Sequence, residues 1–181
     1  QMTLNTLAIQ YLEPGTHIAT LPVREVRAKL RAALERMQDG EGDVVPITHV
    51  LIGWQLPEPL VRVCREETTR AGAQLFLWHP LLTGDGVLIP VPEWQTVGLD
   101  GESVPGFRTM PEYTFVCPNR SAARDAVLHH LREVCATAMI GDGNTRSEAQ
   151  GNGSRLYDGV FLDRIRYPSP ARDPSRWLAC F

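Results

Sequence analysis

Four short apolar runs alternate along this chain with segments of helical periodicity, and that alternation constrains the fold more than any other feature. The runs lie near 6–12, 47–54, 74–79 and 157–163. Between the first two, apolar residues fall at Val23, Val26, Leu30, Leu34 and Met37. Steps of three and four predict an amphipathic helix. A second helix is expected from about Pro59 to Arg70, with Leu60, Val63 and Cys64 on one face and Gly72 as its stop. Only Ala73 then precedes the third run. A third helix starts near Asn119 or Ser121, either of which can cap it, with Val127, Leu128, Leu131, Val134 and Cys135 as its buried stripe. The order is βαβαβαβ, which predicts an α/β fold with parallel strands and crossover helices.

Composition narrows the function classes. Of the 181 residues, 43% are hydrophobic and 22% charged, as in a folded domain rather than a disordered chain. No run approaches the ~18 apolar residues of a membrane span. A net charge of −3 lacks the basic footprint of a nucleic-acid binder. Neither membrane nor nucleic acid is therefore expected as a partner. Cys64, Cys117, Cys135 and Cys180 show no CxxC spacing, which argues against a zinc site and a disulfide framework. Cys64 and Cys135 read as buried thiols on helical apolar faces. His17 and His49 lack acidic neighbours at metal spacing, and His129 and His130 fall within a helix, so no metal is expected. No Gly-rich phosphate loop follows the first strand, and no cofactor is expected either. The sequence begins at Gln1, which leaves localisation open between cytoplasmic and secreted.

Function in α/β folds collects at the carboxyl ends of the strands. The loop after the third strand, residues 80 to 118, is long, rich in Pro and Gly, and carries Trp94, Phe107, Tyr113 and Phe115. The polar stretch from Gly141 to Ser154 reads as a flexible insertion on the opposite side. In the fourth run, alternation puts Val160 and Leu162 on one side, suited to packing under helices, and Gly159, Phe161 and Asp163 on the other. Asp163 closes the strand, with Arg164 and Arg166 behind it. A carboxylate there needs a partner or a task. A structural Asp163–Arg166 salt bridge meets that need, and so does catalysis. Tyr11, Trp54 and Trp78 each end a strand, flanked by Gln10, Gln55 and His79. Aromatic faces edged with hydrogen-bonding groups suit sugars. Each aromatic also reads as a core or rim residue, and His79 as a brace for the Pro-rich loop or a proton-transfer group.

The set Asp158, Gly159, Asp163, Arg166, Tyr167 and Pro168 resembles the fourth-strand motif of bacterial glycoside-hydrolase-like (β/α)8 barrels. Cys117-Pro118-Asn119-Arg120 resembles that family's approach to its third helix, and Pro92-Glu93-Trp94 with Asp100-Gly101-Glu102 resembles its long third loop. The similarity runs from about residue 75 to 170. It implies the first four βα units of a TIM barrel, a single incomplete domain over 1–181, that acts on a poly- or oligosaccharide. Asp163 is then the nucleophile or charge stabiliser, Arg166 orients it, and Trp78, His79, Trp54 and Tyr11 line the substrate cleft. Asp158, near the start of the strand, belongs to the stability side of such a barrel. Glycoside hydrolysis uses two carboxyls, roughly 5–5.5 Å apart for retention and roughly 6.5–9.5 Å for inversion. In related barrels the second comes from a later strand; Glu93 and Glu112 are the local substitutes and read better as paired or solvent-facing. A full barrel takes about 250 residues. The open edges of the first and fourth strands are thus expected to need the rest of a barrel, or a second copy, as cover. The alternatives are a non-catalytic carbohydrate-binding barrel, or another α/β enzyme in which Asp163–Arg166 is only a salt bridge.

Overall fold

A computed structural model describes residues 7–12, 15–18, 20–36, 46–83, 91–99, 101, 114–139 and 155–165. Strands β1 (Leu7–Tyr11), β2 (Ile47–Gly53), β3 (Gln74–Pro80) and β4 (Gly159–Asp163) form one parallel sheet in the order β1-β2-β3-β4. Helices α1 (Gly15–Ile18), α2 (Val23–Arg36), α3 (Glu58–Arg70) and α4 (Ser121–Met139) occupy the connections, with a 3-10 turn at Pro92–Trp94. The α/β class with parallel strands and crossover helices is therefore present. The chain divides into two compact units, one of Gln1–His79 with Cys135–Phe161 and one of Pro80–Val134 with Leu162–Phe181.

In the first unit the helices bury most of the predicted stripes, but Val23, in the first turn of α2, is exposed. Val26, Leu30 and Leu34 of α2 are buried at steps of four, as are Leu60, Val63 and Cys64 of α3 at steps of three and four. Burial pushes the Cys64 thiol up to about 12, so it packs as an inert apolar group. Gly72 ends α3 in the left-handed region (φ 71), where its N–H bonds the Thr69 carbonyl and the Ala73 N–H bonds that of Thr68. A glycine reaches that conformation without steric cost, and the chain turns at once into β3.

Register sorts the strand residues into two rows. Ile9, Val50 and Leu75 pair across β1, β2 and β3, as do Tyr11, Ile52 and Leu77. Val50, Ile52 and Leu75 are fully buried, and His79 continues their row along β3. The opposite row holds His49, Leu51, Gly53, Phe76 and Trp78. Apart from buried Leu51, its members are half-buried, and His49 and Phe76 stack at 5.4 Å.

The second unit has its own small core of Leu82, Val116, Ala123 and Val127, with Leu81 and Trp94 against it. Phe115 and Val116 lie between two segments, bridging Thr83 on one side and pairing antiparallel with Gln95 on the other.

Several packing expectations need correction. Leu128 is exposed instead of joining the α4 stripe, because the buried positions of that helix fall at Ala123, Val127 and Ala138. Cys135 is only half-buried. Leu162 is exposed as well; among the described residues β4 has a strand neighbour, β3, on one side only. Trp54 lies in the turn after β2, outside the strand. Met37, Asp100, Glu102, Phe107, Glu112, Tyr113, Arg166, Tyr167, Pro168, Cys180 and the Gly141–Ser154 stretch lie outside the described residues.

Candidate functional site at the carboxyl end of strand β4

The two aspartates of the fourth-strand motif have different surroundings. Asp158 precedes β4 in the first unit. Its carboxylate accepts hydrogen bonds from Arg65 Nη1 and, at 2.8 Å, from the Leu75 backbone N–H. Burial works to raise the Asp158 pKa, but these two donors outweigh it and hold the carboxyl below its usual range. Asp158 therefore belongs to the scaffold, as expected of the strand start. Gly159 follows for a steric reason: a Cβ there would lie 2.6 Å from Phe76 Cε1.

Asp163 closes β4 in the second unit. Its backbone carbonyl accepts the Leu81 N–H at 2.8 Å, which fixes the strand end beside the segment leaving β3. Its side chain remains 36% exposed. Arg164 Nε lies 3.6 Å from Asp163 Oδ2, and Arg164 Nη1 donates to Thr83 Oγ1 at 3.4 Å. Thr83 is fully buried. Arg164 has φ 53, and among the described residues no other non-glycine shows a positive φ. The ion-pair partner in place is thus Arg164, one residue from the aspartate, while Arg166 lies outside the described residues. A partly exposed carboxylate at a strand's carboxyl end can attack or stabilise an electrophilic carbon, and a neighbouring guanidinium can fix its orientation.

The remaining expected residues separate by face. Trp78 and Trp54 meet edge-on, with ring centroids 5.2 Å apart and planes at 65°. The Trp54 indole N–H is buried with no hydrogen-bond partner among the described residues. Tyr11 and His79 fall on the row of Ile52 and Leu77, opposite the row of Trp78, and His79 is buried. Tyr11 and Trp78, both within strands, therefore point away from Gln10 and His79 beside them in sequence, the usual consequence of strand alternation. Glu93 is exposed on the 3-10 turn.

Sequence reasoning missed a charged cluster among the described residues of the first unit. Glu67 of α3 is 1% exposed and accepts a two-pronged contact from Arg31 (Nε 3.0 Å, Nη2 2.8 Å). Arg27 Nη1 and Arg70 Nε add bonds at 2.8 and 2.9 Å. The Arg31 fork, opposed by burial and joined by Arg27 and Arg70, pulls the Glu67 carboxyl down to about 2. The signal was present: Leu60, Val63, Cys64 and Glu67 follow helical spacing, so a glutamate sits on a buried stripe. This cluster joins α2 to α3 and lies in the first unit, whereas Asp163 is in the second.

No group of His, Cys, Asp or Glu able to hold a metal occurs among the described residues. No helix among them is long and apolar enough to cross a membrane. Compared with protein-family models, curated proteins and solved structures, the chain matches none of them.

Proposed function

We propose that this chain is a glycoside hydrolase domain built on the first four βα units of a (β/α)8 barrel, with Asp163 as the nucleophile or charge stabiliser. The substrate class is a poly- or oligosaccharide. The observation that carries the reading is the contrast within one motif: Asp158 is committed to Arg65 and Leu75, while Asp163 is partly exposed at the carboxyl end of the strand. Strand order supports the barrel element. The strands neighbour one another in chain order, β1-β2-β3-β4, whereas doubly wound sheets reverse direction at a switch point. Glycosidic cleavage passes through an oxocarbenium-like state whose positive charge a carboxylate stabilises. In the first unit, the half-buried Trp54 and Trp78 carry indole surface of the kind that packs on sugar rings. The test is calorimetric titration with a panel of oligosaccharides, followed by chromatography of the products. Cleavage of an oligosaccharide needs a second carboxyl beside Asp163, which this reading draws from a later strand of the barrel; with it supplied, binding with cleavage is expected. Binding without any product would instead support the non-catalytic carbohydrate-binding barrel.

The 3.6 Å approach of Arg164 to Asp163 favours a second reading, in which the pair is a structural tie in another α/β protein. Exchanging the two charges, Asp163→Arg with Arg164→Asp, then preserves function. Under the hydrolase reading the exchange abolishes it.

A further inference from the structure

We infer that Arg164 is the positioning residue of Asp163, an inference that rests on the hydrolase reading of that aspartate. Three observations converge on it. The backbone at Arg164 is left-handed, with φ 53. A residue with a Cβ pays about 1 kcal/mol or more there, and such outliers persist where the surroundings enforce them. The side chain is 17% exposed, low for an arginine next to a strand end. Its guanidinium lies between two fixed points, with Nη1 on the hydroxyl of fully buried Thr83 and Nε facing Asp163 Oδ2.

The left-handed turn has a geometric consequence. An extended residue after Asp163 would send its side chain to the opposite face of the strand, as alternation requires. The positive φ breaks that alternation and brings the Arg164 guanidinium beside the carboxylate it follows. Thr83 sits just beyond the Leu81 N–H that holds the Asp163 carbonyl. Backbone and side chain of the strand end are therefore both tied to the Leu81–Thr83 segment. The contact to Asp163, at 3.6 Å, is longer than a direct hydrogen bond. It orients the carboxylate electrostatically and leaves its lone pairs available to a substrate.

The experiment measures kcat and KM of the full chain on a panel of 4-nitrophenyl glycosides, with Asp163→Ala, Arg164→Ala, Arg164→Gly and Arg164→Lys beside the wild type. Thermal melts check that each variant is folded. Arg164→Ala should lower kcat roughly 10–100-fold, the scale of a misplaced catalytic group, with KM little changed. Added guanidinium, at millimolar levels well below denaturing ones, should restore part of the lost rate. Arg164→Lys should not restore it, because a single ammonium cannot contact Thr83 and face Asp163 at once, as Nη1 and Nε do. Arg164→Gly should melt at or above the wild-type temperature while losing rate like Arg164→Ala, since glycine adopts φ 53 freely. An unchanged kcat in Arg164→Ala overturns the positioning role, and so does a loss of rate that guanidinium leaves untouched. If the wild type turns over none of the glycosides, or Asp163→Ala keeps full rate, the hydrolase reading itself fails and this inference falls with it.

Discussion

Asp158 and Leu75 hold each other by two hydrogen bonds, the Leu75 N–H to the Asp158 carboxylate and the Asp158 N–H to the Leu75 carbonyl, both 2.8 Å long. This double tie, reinforced by Arg65, fixes the amino end of β4 to the amino end of β3. Replacing Asp158 by Ala strands the Leu75 N–H and the Arg65 guanidinium. The expected cost is about 2 kcal/mol, within the range for leaving a partly buried donor unsatisfied. Asp158→Asn keeps an acceptor for Leu75 and should cost less. Urea denaturation of the two variants checks the ranking. The folded carboxyl titrates below its ordinary value, so its contribution is complete above the unfolded pKa of about 4 and is lost as pH falls through the folded value.

Gly159 and Phe76 make a second prediction about the same strand. A methyl group at 159 would meet the Phe76 ring at 2.6 and 3.0 Å, distances that force the ring to move. Gly159→Ala should destabilise the protein by about 1–3 kcal/mol, as overpacking does. Shrinking the neighbour with Phe76→Leu should make the Gly159→Ala change less costly than it is in the wild-type background. A double-mutant cycle by thermal melting reads the coupling, and strict additivity contradicts the contact.

Glu67 sets the acid limb of stability. Its carboxyl is held near 2, below the usual glutamate value of about 4.3, so the folded state releases this proton more readily than the unfolded chain. The resulting stabilisation is fully present above about pH 5 and drains away as pH falls towards 2. On the order of 3 kcal/mol is at stake, since a tenfold change in proton affinity is worth about 1.4 kcal/mol. Glu67→Gln should lose a comparable amount at neutral pH, because the neutral amide gives up the charge-assisted bonds to the partly exposed Arg27, Arg31 and Arg70 and turns an NH2 donor towards them. Its stability should also depend less on pH between about 2 and 5 than that of the wild type. Equal pH slopes for the two proteins would contradict the assignment.

The elements themselves were legible because their signals are local. Helical spacing at Val26, Leu30 and Leu34, and the Gly72 stop, are properties of short windows. The parallel sheet follows from the order of the runs. Asp163 was legible as a strand-end carboxylate because an apolar run leads directly to it in sequence. What surrounds it was not. Its contact with Arg164 depends on a left-handed residue that the sequence Asp163-Arg164 does not announce, and Thr83 lies far off in the chain. Tyr11 and His79 looked like companions of Trp78 because sequence neighbours at strand ends are easily taken as close in space; the two-residue period puts them on the other face. Glu67 went unread because a charged residue on an apolar stripe is judged by its partners, and Arg27 and Arg31 come from a different helix.

The most direct test of the central claim is the rate of glycosidic cleavage by Asp163→Ala and Asp163→Asn, measured beside the wild type on the same oligosaccharide with thermal melts of all three. Asp163 is partly exposed and its backbone contact to Leu81 is independent of the side chain, so both variants should fold with melting temperatures close to the wild type. Their turnover should fall by at least about a thousandfold, the scale expected when the charge-stabilising carboxylate of a glycosidic centre is removed. Folded variants that cleave the oligosaccharide at the wild-type rate would contradict the assignment of Asp163.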